Sequence, residues 1–365
     1  MAENLVRVLN VVPNMRAAGI ETFIMNVYRN IDRNKVQFDF LVHSKKREFY
    51  DDEIEKLGGK IYRLTYKDDK NFGKYIKDLN KFFSDHKEYQ IVHGHMQSMM
   101  PVYLKVAKKH NVKIRIGHSH NNSYEKSMKG IILHILSRSS KKYANVKFAC
   151  SADSGRYLFG KKAKVEVINN GIEINKFKFD ESKRNKIREE LKLNDNDILI
   201  GNIGRMEKQK NQMFLIEVFK KLHDENPKYK LIIIGEGKLE NKIKKQISKY
   251  QLEDVTYIKK RIKNVNEYMM AMDIFALPSL YEGLGIVLIE GQAAGLKCFT
   301  TLDTVAEETN LTSNIKYLKL NKKIWVNEIL NTNVGYDRAE NMEEKCKDFD
   351  IKNIAKKLEN LYLNY

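Results

Sequence analysis

The sequence predicts two doubly wound α/β domains with parallel sheets, and three observations predict this fold. The chain has 365 residues, more than one ordinary hydrophobic core can organise. Short apolar runs alternate with amphipathic stretches along it, the pattern of repeated βα units. The alternation pauses after Asn169 and resumes at Ile198. We therefore expect domains over residues 1–172 and 173–349, built as two facing Rossmann-like sheets with an interdomain cleft.

In the first half, compact apolar runs predict strands, and the amphipathic segments between them predict helices. The predicted strands are Val6–Val12, Phe38–Val42, Ile91–His93, Ile114–Ile116, Val146–Ala149 and Val165–Ile168. The predicted helices are Ile20–Asn30, Asp52–Leu57, Phe72–Phe83, Met99–His110, Ser127–Tyr143 and Ser151–Phe159. A loop is expected from residue 169 to about residue 180.

The second half repeats the alternation, although residues 310–350 show no pattern that assigns them. The predicted strands are Ile198–Ile203, Lys230–Gly235, Val255–Ile258, Ile274–Leu277 and Cys298–Thr300. The predicted helices lie near Asn211–Asp224 and Leu239–Tyr250, with further helices beginning at Ile286 and spanning Ile351–Leu363.

Composition excludes several classes of protein. The chain is 42% hydrophobic and 31% charged, and no apolar run approaches the roughly 18 to 20 residues of a membrane span. The N-terminus has no signal-peptide pattern, and the three cysteines have no metal-ligand spacing, so we expect a reduced, cytoplasmic protein. The net charge is +19, of which residues 1–172 carry +15. None of the common nucleic-acid motifs is present, so we expect no nucleic-acid partner.

The most informative segment runs from Glu282 to Glu290. It follows the apolar run Ile274–Leu277 and a Pro-Ser pair, and glycines precede a helix that begins at Ile286. Free N–H groups at such a helix start suit an anion. Eight residues at about 1.5 Å each would place the two carboxylates about 12 Å apart, the length of a sugar nucleotide from hexose to ribose.

Two cations follow the predicted strand Ile198–Ile203. Arg205 comes directly after its end and Lys210 opens the next helix. A guanidinium and an ammonium that converge at this edge can hold a diphosphate. A solvated helix start is the competing interpretation. In the first half, Gly19 also opens a helix, and its backbone could approach a phosphate closely.

Histidines follow two predicted strands, and we expect them to face the cleft. They are His93 and His95 in one segment and His118 and His120 in the other. A His-x-His pair could bind a metal ion, but no acidic or cysteine partner has a convincing spacing. Asp195-Asn196-Asp197 has the form of a metal-binding Asp-x-Asp, but it precedes a strand, so we interpret it as a turn.

These segments together resemble the retaining family 4 glycosyltransferases, especially the bacterial members that build capsular polysaccharide or exopolysaccharide. The resemblance covers residues 5 to about 310. The segments that carry it, in the order of the family pattern, are Gly19–Glu21, Asn170–Ile172, Gly204–Asn211 and Pro278–Gly285. One departure is Ala18, where the family usually has a second glycine.

The resemblance implies the GT-B fold, with the acceptor bound to the first domain and the donor to the second. It also implies that a helix of about 350–365 packs back on the first domain. The reaction it implies is metal-independent transfer of a hexosyl unit from a nucleotide sugar, here expected to be a UDP-sugar, with retention of configuration. The acceptor would be a glycan or a lipid-linked glycan, and no cofactor is expected.

The resemblance also gives roles to single residues. Arg205 and Lys210 would neutralise the leaving diphosphate, Glu282 and His120 would contact the donor hexose, and Glu290 would contact the ribose. His93, His95 and His118 would lie on the acceptor or sugar side. The other residues expected at the donor are Gly19, Gly204, Arg261, Gly283, Leu284, Gly285 and Ile286.

Three further interpretations stay open at this point. The Ser127–Tyr143 stretch is basic and amphipathic, so it could give weak peripheral association with an anionic membrane, on the inner face of the cell membrane. A core-packed helix is the alternative for that stretch. For the whole chain, the rival functions are a sugar-nucleotide epimerase and a catalytically silent subunit that binds a glycan or a partner.

Overall fold

The computed structural model describes residues 5–16, 18–65, 71–120, 128–260, 262, 264–282, 284–335, 338 and 342–365. It divides the chain into two compact units. Unit 1 comprises Met1–Ile172 with Asp348–Tyr365, and unit 2 comprises Glu173–Lys347. Both are α/β units with a parallel sheet, as predicted. Among the described helices, none is long and apolar enough to cross a bilayer.

The sheet of unit 1 has seven parallel strands in the order β3-β2-β1-β4-β5-β6-β7. The strands are β1 (Val6–Val12), β2 (Val36–Val42), β3 (Ile61–Arg63), β4 (Ile91–Gly94), β5 (Ile114–Ser119), β6 (Val146–Ala149) and β7 (Glu166–Val167). The helices are α1 (Gly19–Asn30), α2 (Asp51–Lys56), α3 (Phe72–Asp85), α4 (Met100–Lys109), α5 (Met128–Arg138) and α6 (Ala152–Phe159).

The sheet of unit 2 has six parallel strands in the order β10-β9-β8-β11-β12-β13. They are β8 (Ile198–Ile203), β9 (Tyr229–Ile234), β10 (Thr256–Lys259), β11 (Ile274–Leu277), β12 (Lys297–Thr301) and β13 (Ile315–Leu318). The helices are α7 (Ile174–Phe177), α8 (Glu181–Glu190), α9 (Gln212–Glu225), α10 (Glu240–Lys249), α11 (Val265–Ala271), α12 (Ile286–Ala293), α13 (Lys322–Leu330) and α14 (Met342–Lys345).

Strand order reverses once in each sheet, between β1 and β4 in unit 1 and between β8 and β11 in unit 2. At such a reversal the connections leave in opposite directions and open a crevice at the carboxyl ends of the strands. Buried aliphatic and aromatic side chains fill most of both faces of each sheet, so polar groups available to a ligand are expected mainly near the strand ends. Each unit therefore has one such crevice.

The C-terminal helix α15 (Ile351–Leu363) belongs to unit 1. Its apolar face enters the core formed by β1, β2 and α1 through Ile354, Leu358 and Tyr362. The backbone of Ile172 donates to Phe349 and accepts from Ile351, which fixes the start of the helix. A Cβ on Gly171 would lie 2.8 Å from Ile354, so close approach requires this glycine, not the positive φ that an Asn-Gly turn suggests.

Several elements depart from the sequence predictions. The loop expected from 169 to 180 contains α7. The helices α8, α11, α13 and α14 and the strands β3 and β13 were not predicted. The α8 segment was missed because it is almost entirely charged and buries only Ile187 and Arg188. The helix predicted over 127–143 ends at Arg138 and continues as a 3₁₀ turn, Ser139–Lys142. Asp195 and Asn196 form the predicted turn before β8.

Candidate functional site: the strand-end crevice of unit 2

The loops after β8 and β11 meet at the reversal point of the unit 2 sheet and are tied to each other. The Leu280 N–H donates to the Gln209 carbonyl at 2.8 Å, and the Asn211 side-chain amide donates to the Pro278 carbonyl at 3.1 Å. Gln209 also donates from Nε2 to the Tyr281 carbonyl at 2.9 Å. These bonds fix one loop against the other, so the polar groups they carry are held before any ligand arrives.

Lys210 and Glu282 form an ion pair across this junction. Lys210 Nζ lies 2.7 Å from Glu282 Oε1, and the side chains are only 13% and 7% exposed. Ser279 Oγ donates to the same carboxylate oxygen. Among the described residues, Glu282 Oε2 accepts no hydrogen bond, and an ammonium has three donors, so each member of the pair keeps capacity for a ligand.

Gly204 allows this arrangement. A Cβ at residue 204 would lie 3.0 Å from Cε and 3.1 Å from Cδ of Lys210. The lysine stem therefore crosses directly over the backbone of Gly204 to reach Glu282. A side chain at residue 204 would force the lysine stem to shift.

Arg205 contrasts with Lys210 because its guanidinium is open to solvent. Its side chain is 69% exposed, and its ion pair with Glu207 is 3.5 Å long. An exposed contact of that length contributes little. The guanidinium is thus available for a planar, two-point contact with a phosphate.

Helix α12 begins directly after the β11 loop, with Gly285 as its N-cap. Gly285 has φ +75° and ψ +45°, in the left-handed region that favours glycine. The Leu288 N–H turns back to the Gly285 carbonyl at 2.8 Å. The N–H groups of Ile286 and Val287 have no partner within the helix, since they lie in its first turn. They present donors and positive potential toward the crevice.

Glu290 lies one turn further along α12 and is half-buried. Burial raises the pKa of its carboxyl to about 7. Among the described residues, its carboxylate has no hydrogen-bond partner or counter-ion. The side chain is therefore a desolvated acceptor that no described residue satisfies.

The structure corrects one step of the sequence geometry. The 12 Å estimate treated Glu282 to Glu290 as helical, but the helix begins at Ile286 and Glu282 lies in the preceding loop. Leu284 and Gly285 are buried beside it. Two predicted donor residues, Arg261 and Gly283, lie outside the described residues.

The crevice of unit 1 holds the four predicted histidines, and all are buried. His93, His95, His118 and His120 are at most 7% exposed. His93 Nε2 lies 3.1 Å from His118 Nδ1, and His95 Nδ1 lies 2.9 Å from His120 Nε2. Burial lowers the pKa of all four, to about 3 for His120, so the cluster is neutral at physiological pH.

The remaining nitrogens separate the four histidines into two groups. His93 Nδ1 lies 2.7 Å from the Tyr362 hydroxyl of α15, and His95 Nε2 lies 3.2 Å from Asn10 Oδ1. Both therefore use both ring nitrogens inside the protein. His118 Nε2 and His120 Nδ1 have no partner among the described residues. Of the four histidines, His118 and His120 therefore each keep one buried ring nitrogen without a partner among the described residues.

Three of these histidines could also hold a metal ion by spacing alone. Ligand atoms of His93, His95 and His118 lie within 4.8 Å of one another. In the described part of the chain, this group contains histidines and no carboxylate.

Gly19 is the first residue of α1 and follows Ala18, which makes no side-chain cap. A Cβ at Gly19 would meet no atom within 4 Å, so the space in front of this helix start is open among the described residues. Glu21 in the same turn is buried, and burial raises the pKa of its carboxyl. Sequence reasoning did not single out Glu21, because a carboxylate in a first helical turn is common.

Two family models match the chain. The model described as Glycosyltransferase Family 4 matches residues 17–176, and the model described as Glycosyl transferases group 1 matches residues 183–322. The chain is 30% identical over 312 residues to the putative glycosyltransferase EpsF of Bacillus subtilis, which covers 83% of this chain and 81% of EpsF.

A second relative and a solved structure extend the comparison. The capsular polysaccharide biosynthesis glycosyltransferase CapH of Staphylococcus aureus is 25% identical over 341 residues, covering 89% of this chain and 90% of CapH. The crystal structure of Anabaena HepE in complex with UDP and glucose has a TM-score of 0.81 at 17% identity, covering 99% of this chain and 100% of HepE. At that identity the likeness concerns the fold.

Proposed function

Because this chain belongs to glycosyltransferase family 4, we propose that it transfers a hexosyl unit from a nucleotide sugar, with UDP as the nucleotide. The enzyme is a glycosyltransferase of polysaccharide biosynthesis, and its donor, mechanism and acceptor are proposed. The observation that carries the proposal is the pairing of Lys210 with Glu282 at 2.7 Å where the two strand-end loops of unit 2 meet.

The leaving group of such a transfer is a nucleoside diphosphate, on which negative charge grows as the glycosidic bond breaks. Three positive elements adjoin the crevice: the Arg205 guanidinium, the Lys210 ammonium and the first turn of α12. Donors fixed in advance stabilise developing charge more than they stabilise a ground state. In this proposal Arg205 binds the diphosphate bidentately, and Lys210 approaches it as a point charge held in place by Glu282.

In this proposal Glu282 and Glu290 bind the two sugars of the donor. Glu282 Oε2 would accept a hydrogen bond from the donor hexose, since Oε1 is occupied by Lys210 and Ser279. Glu290 would accept hydrogen bonds from the ribose hydroxyls, which is a use for a desolvated carboxylate without a partner. UDP is proposed as the nucleotide because the structure of HepE, the same fold, is a complex with UDP and glucose.

We propose that the reaction retains the anomeric configuration and needs no metal ion. We assign neither described carboxylate as an attacking nucleophile, since Glu282 is paired with Lys210 and Glu290 is assigned to the ribose. Attack of the acceptor on the same face as the leaving phosphate, with that phosphate accepting the proton, requires no protein nucleophile. The cations of the crevice would neutralise the diphosphate in place of a divalent ion.

The acceptor is proposed to be a hydroxyl of a glycan or of a lipid-linked glycan. One relative matches part of this chain, with 30% identity over 152 residues. Its name describes the transfer of galactose to a GlcNAc-diphosphoundecaprenol. A lipid-linked acceptor would require the enzyme to work beside a membrane, and we propose weak peripheral association with an anionic leaflet.

A transfer assay tests the reaction. The enzyme would be dialysed against EDTA and incubated with UDP-hexoses or GDP-hexoses and a membrane extract containing lipid-linked glycans. NMR of the isolated product would then report the new anomeric centre. We expect transfer from a UDP-hexose without metal, with the donor's anomeric configuration kept. An inverted product would overturn retention, and activity restored only by Mg²⁺ or Mn²⁺ would overturn metal independence. Recovery of an epimerised sugar nucleotide instead of a glycan would favour the epimerase.

A further inference from the structure

Helix α5 in unit 1 presents its apolar side to solvent. The exposed side chains on it are Met128, Ile131, Ile132, Leu133, Ile135 and Leu136, with exposures from 39% to 75%. The side chains that face the protein are polar, because Ser137 is buried and the ring of half-buried His134 lies 4.3 Å from that of Tyr157. An ordinary surface helix has the reverse orientation. An apolar face of this size marks a contact with a membrane or another molecule.

A basic recess begins where this helix ends. Its volume is about 410 Å³, and four lysines line it: Lys141, Lys147, Lys161 and Lys162. Lys141 belongs to the 3₁₀ turn directly after α5, and Lys161 and Lys162 follow Gly160 at the end of α6. In the part of the chain that the structure describes, none of the four forms an ion pair. Their charges are therefore not neutralised by the described residues of unit 1.

Arg138 connects the helix to the recess. It is the last residue of α5, and its Nη2 atom would lie 3.3 Å from a Cβ built on Gly160, a residue that lines the recess. The apolar face and the basic recess thus form one continuous surface. The sequence around it is strongly biased, since residues 101–165 contain 15 lysine and arginine residues and two acidic residues.

From this juxtaposition we infer that the recess binds the phosphate of an anionic phospholipid headgroup while the apolar side of α5 enters the same leaflet. The lysines match a phosphodiester in charge, and the isoleucines and leucines beside them match the acyl region. A soluble partner would need an apolar surface to cover α5 and, beside it, an anionic group to fill the lysine-lined recess. This inference deepens the proposed membrane association by naming the residues that bind the leaflet, and it does not depend on the donor proposal.

The inference is tested by flotation of the full chain with vesicles of phosphatidylcholine alone and of phosphatidylcholine mixed with phosphatidylglycerol, at low salt. Each basic residue near such a surface changes the partition by about fivefold. We therefore expect K161E/K162E to lower binding to the mixed vesicles at least about 25-fold. The matched control is K242E/K245E on α10 of unit 2, which makes the same charge change at two exposed lysines. It should change binding by less than about twofold.

Two further arms separate headgroup binding from simple charge attraction and from loss of folding. I132S/I135S alters only exposed positions and should also abolish binding to the mixed vesicles. Added inorganic phosphate should compete for the wild type and not for K161E/K162E. Thermal stabilisation by UDP, measured on every variant, reports the donor site separately and should not change.

Three outcomes would overturn the inference. Equal losses for K161E/K162E and K242E/K245E would mean that net charge alone drives binding. Absence of binding to mixed vesicles by wild-type protein that still responds to UDP would exclude the membrane while leaving the donor proposal intact. A concentration-dependent dimer in sedimentation velocity that I132S/I135S converts to monomer would show that a second copy covers α5.

Discussion

The two units share a topology but use the reversal points of their sheets in opposite ways. In unit 1 the reversal between β1 and β4 lies beside four neutral, buried histidines. In unit 2 the reversal between β8 and β11 lies beside Arg205, Lys210 and Glu282, which carry formal charges and keep hydrogen-bonding capacity. The same fold thus gives one crevice lined by neutral histidines and one lined by charged side chains. The side chains after the strands, and not the fold, decide which crevice suits a diphosphate.

The burial of the two sets explains the difference. The histidines spend most of their nitrogens on each other, on Asn10 and on Tyr362, so their network mainly organises unit 1 and joins α15 to the sheet. Arg205, Lys210 and Glu282 keep hydrogen-bonding atoms that no described residue uses. We therefore expect substitution of the exposed Arg205 in unit 2 to reduce turnover with little loss of stability, and perturbation of the unit 1 cluster to act first on stability.

The largest expected effect is that of Arg205→Ala. Removing one donor aimed at developing charge costs about 10²- to 10³-fold in kcat. Stability should stay within about 0.5 kcal/mol, since the guanidinium is 69% exposed. Lys208→Ala is the matched control, because Lys208 is an exposed cation in the same loop. Steady-state kinetics with a UDP-hexose would show the difference. Equal losses of kcat in both variants would mean that Arg205 acts only through its general positive charge.

The Lys210–Glu282 pair gives a second test of the unit 2 crevice, because substitutions of the two residues should have non-additive effects on kcat. We expect Lys210→Ala to lower kcat about 10²-fold, and Glu282→Gln to lower it less, since the lysine stays but loses its anchor. The double variant should be little worse than Lys210→Ala, with a coupling of about 1–3 kcal/mol in a double-mutant cycle on kcat. Additive effects would mean that Glu282 does not position Lys210.

The unit 1 cluster should make the protein sensitive to acid. A histidine whose folded pKa lies below its unfolded value of about 6.5 binds a proton more readily when the chain unfolds. Its contribution to stability is therefore complete above about pH 6.5 and is lost as the pH falls toward the folded pKa, about 3 for His120. For His120 alone this amounts to about 2 kcal/mol between pH 7 and pH 5, so with four such groups the free energy of unfolding in urea should fall by several kcal/mol over that range.

Tyr362→Phe tests whether the histidine cluster of unit 1 is independent of the donor site in unit 2. It leaves His93 Nδ1 without its partner in a buried place and should cost about 1–2 kcal/mol of stability. Stabilisation by UDP should be unchanged. A loss of the UDP response with normal stability would mean that the cluster communicates with the donor site.

The smallest effect expected is that of Glu290→Gln on the unliganded protein. A carboxyl whose folded pKa is raised to about 7 destabilises the fold when it ionises, and this cost grows as the pH rises from about 4.5 through 7. The variant should therefore be more stable than wild type at pH 8 and equal to it at pH 4. The two pKa values alone would give about 3 kcal/mol at pH 8, and the partial exposure of Glu290 reduces the expected gain to about 1–2 kcal/mol. Denaturant unfolding at both values would check this, and no gain at pH 8 would show that Glu290 is solvated.

Most of the architecture could be predicted because βα alternation has a clear period. The bounds of β1, β8, β11 and α15 match the predictions. The missed elements lack that signal. The segment of α8 is almost all charged, and β3 is a three-residue edge strand.

The site was predictable only in its parts. Spacing and resemblance predicted strand-end positions for Arg205, Lys210, Glu282 and Glu290. They could not indicate that Lys210 pairs with Glu282, because 72 residues separate the two in the sequence. Nor could they separate the histidines, since their partners Asn10 and Tyr362 come from opposite ends of the chain. The sequence could not show that the apolar side of α5 faces solvent. Periodicity identifies an apolar helix face but does not show whether that face points to the core or to solvent.

The most direct test of the donor crevice is thermal stabilisation by UDP, GDP, ADP and CMP in EDTA, on the wild type and on Glu290→Ala. A ligand at 100 times its Kd adds about 2.7 kcal/mol to the stability of the protein that binds it. We predict that UDP stabilises the wild type without metal and that Glu290→Ala loses most of this shift while remaining folded. Equal stabilisation of both proteins, or none by any diphosphate, would contradict the assignment of this crevice to the nucleotide sugar.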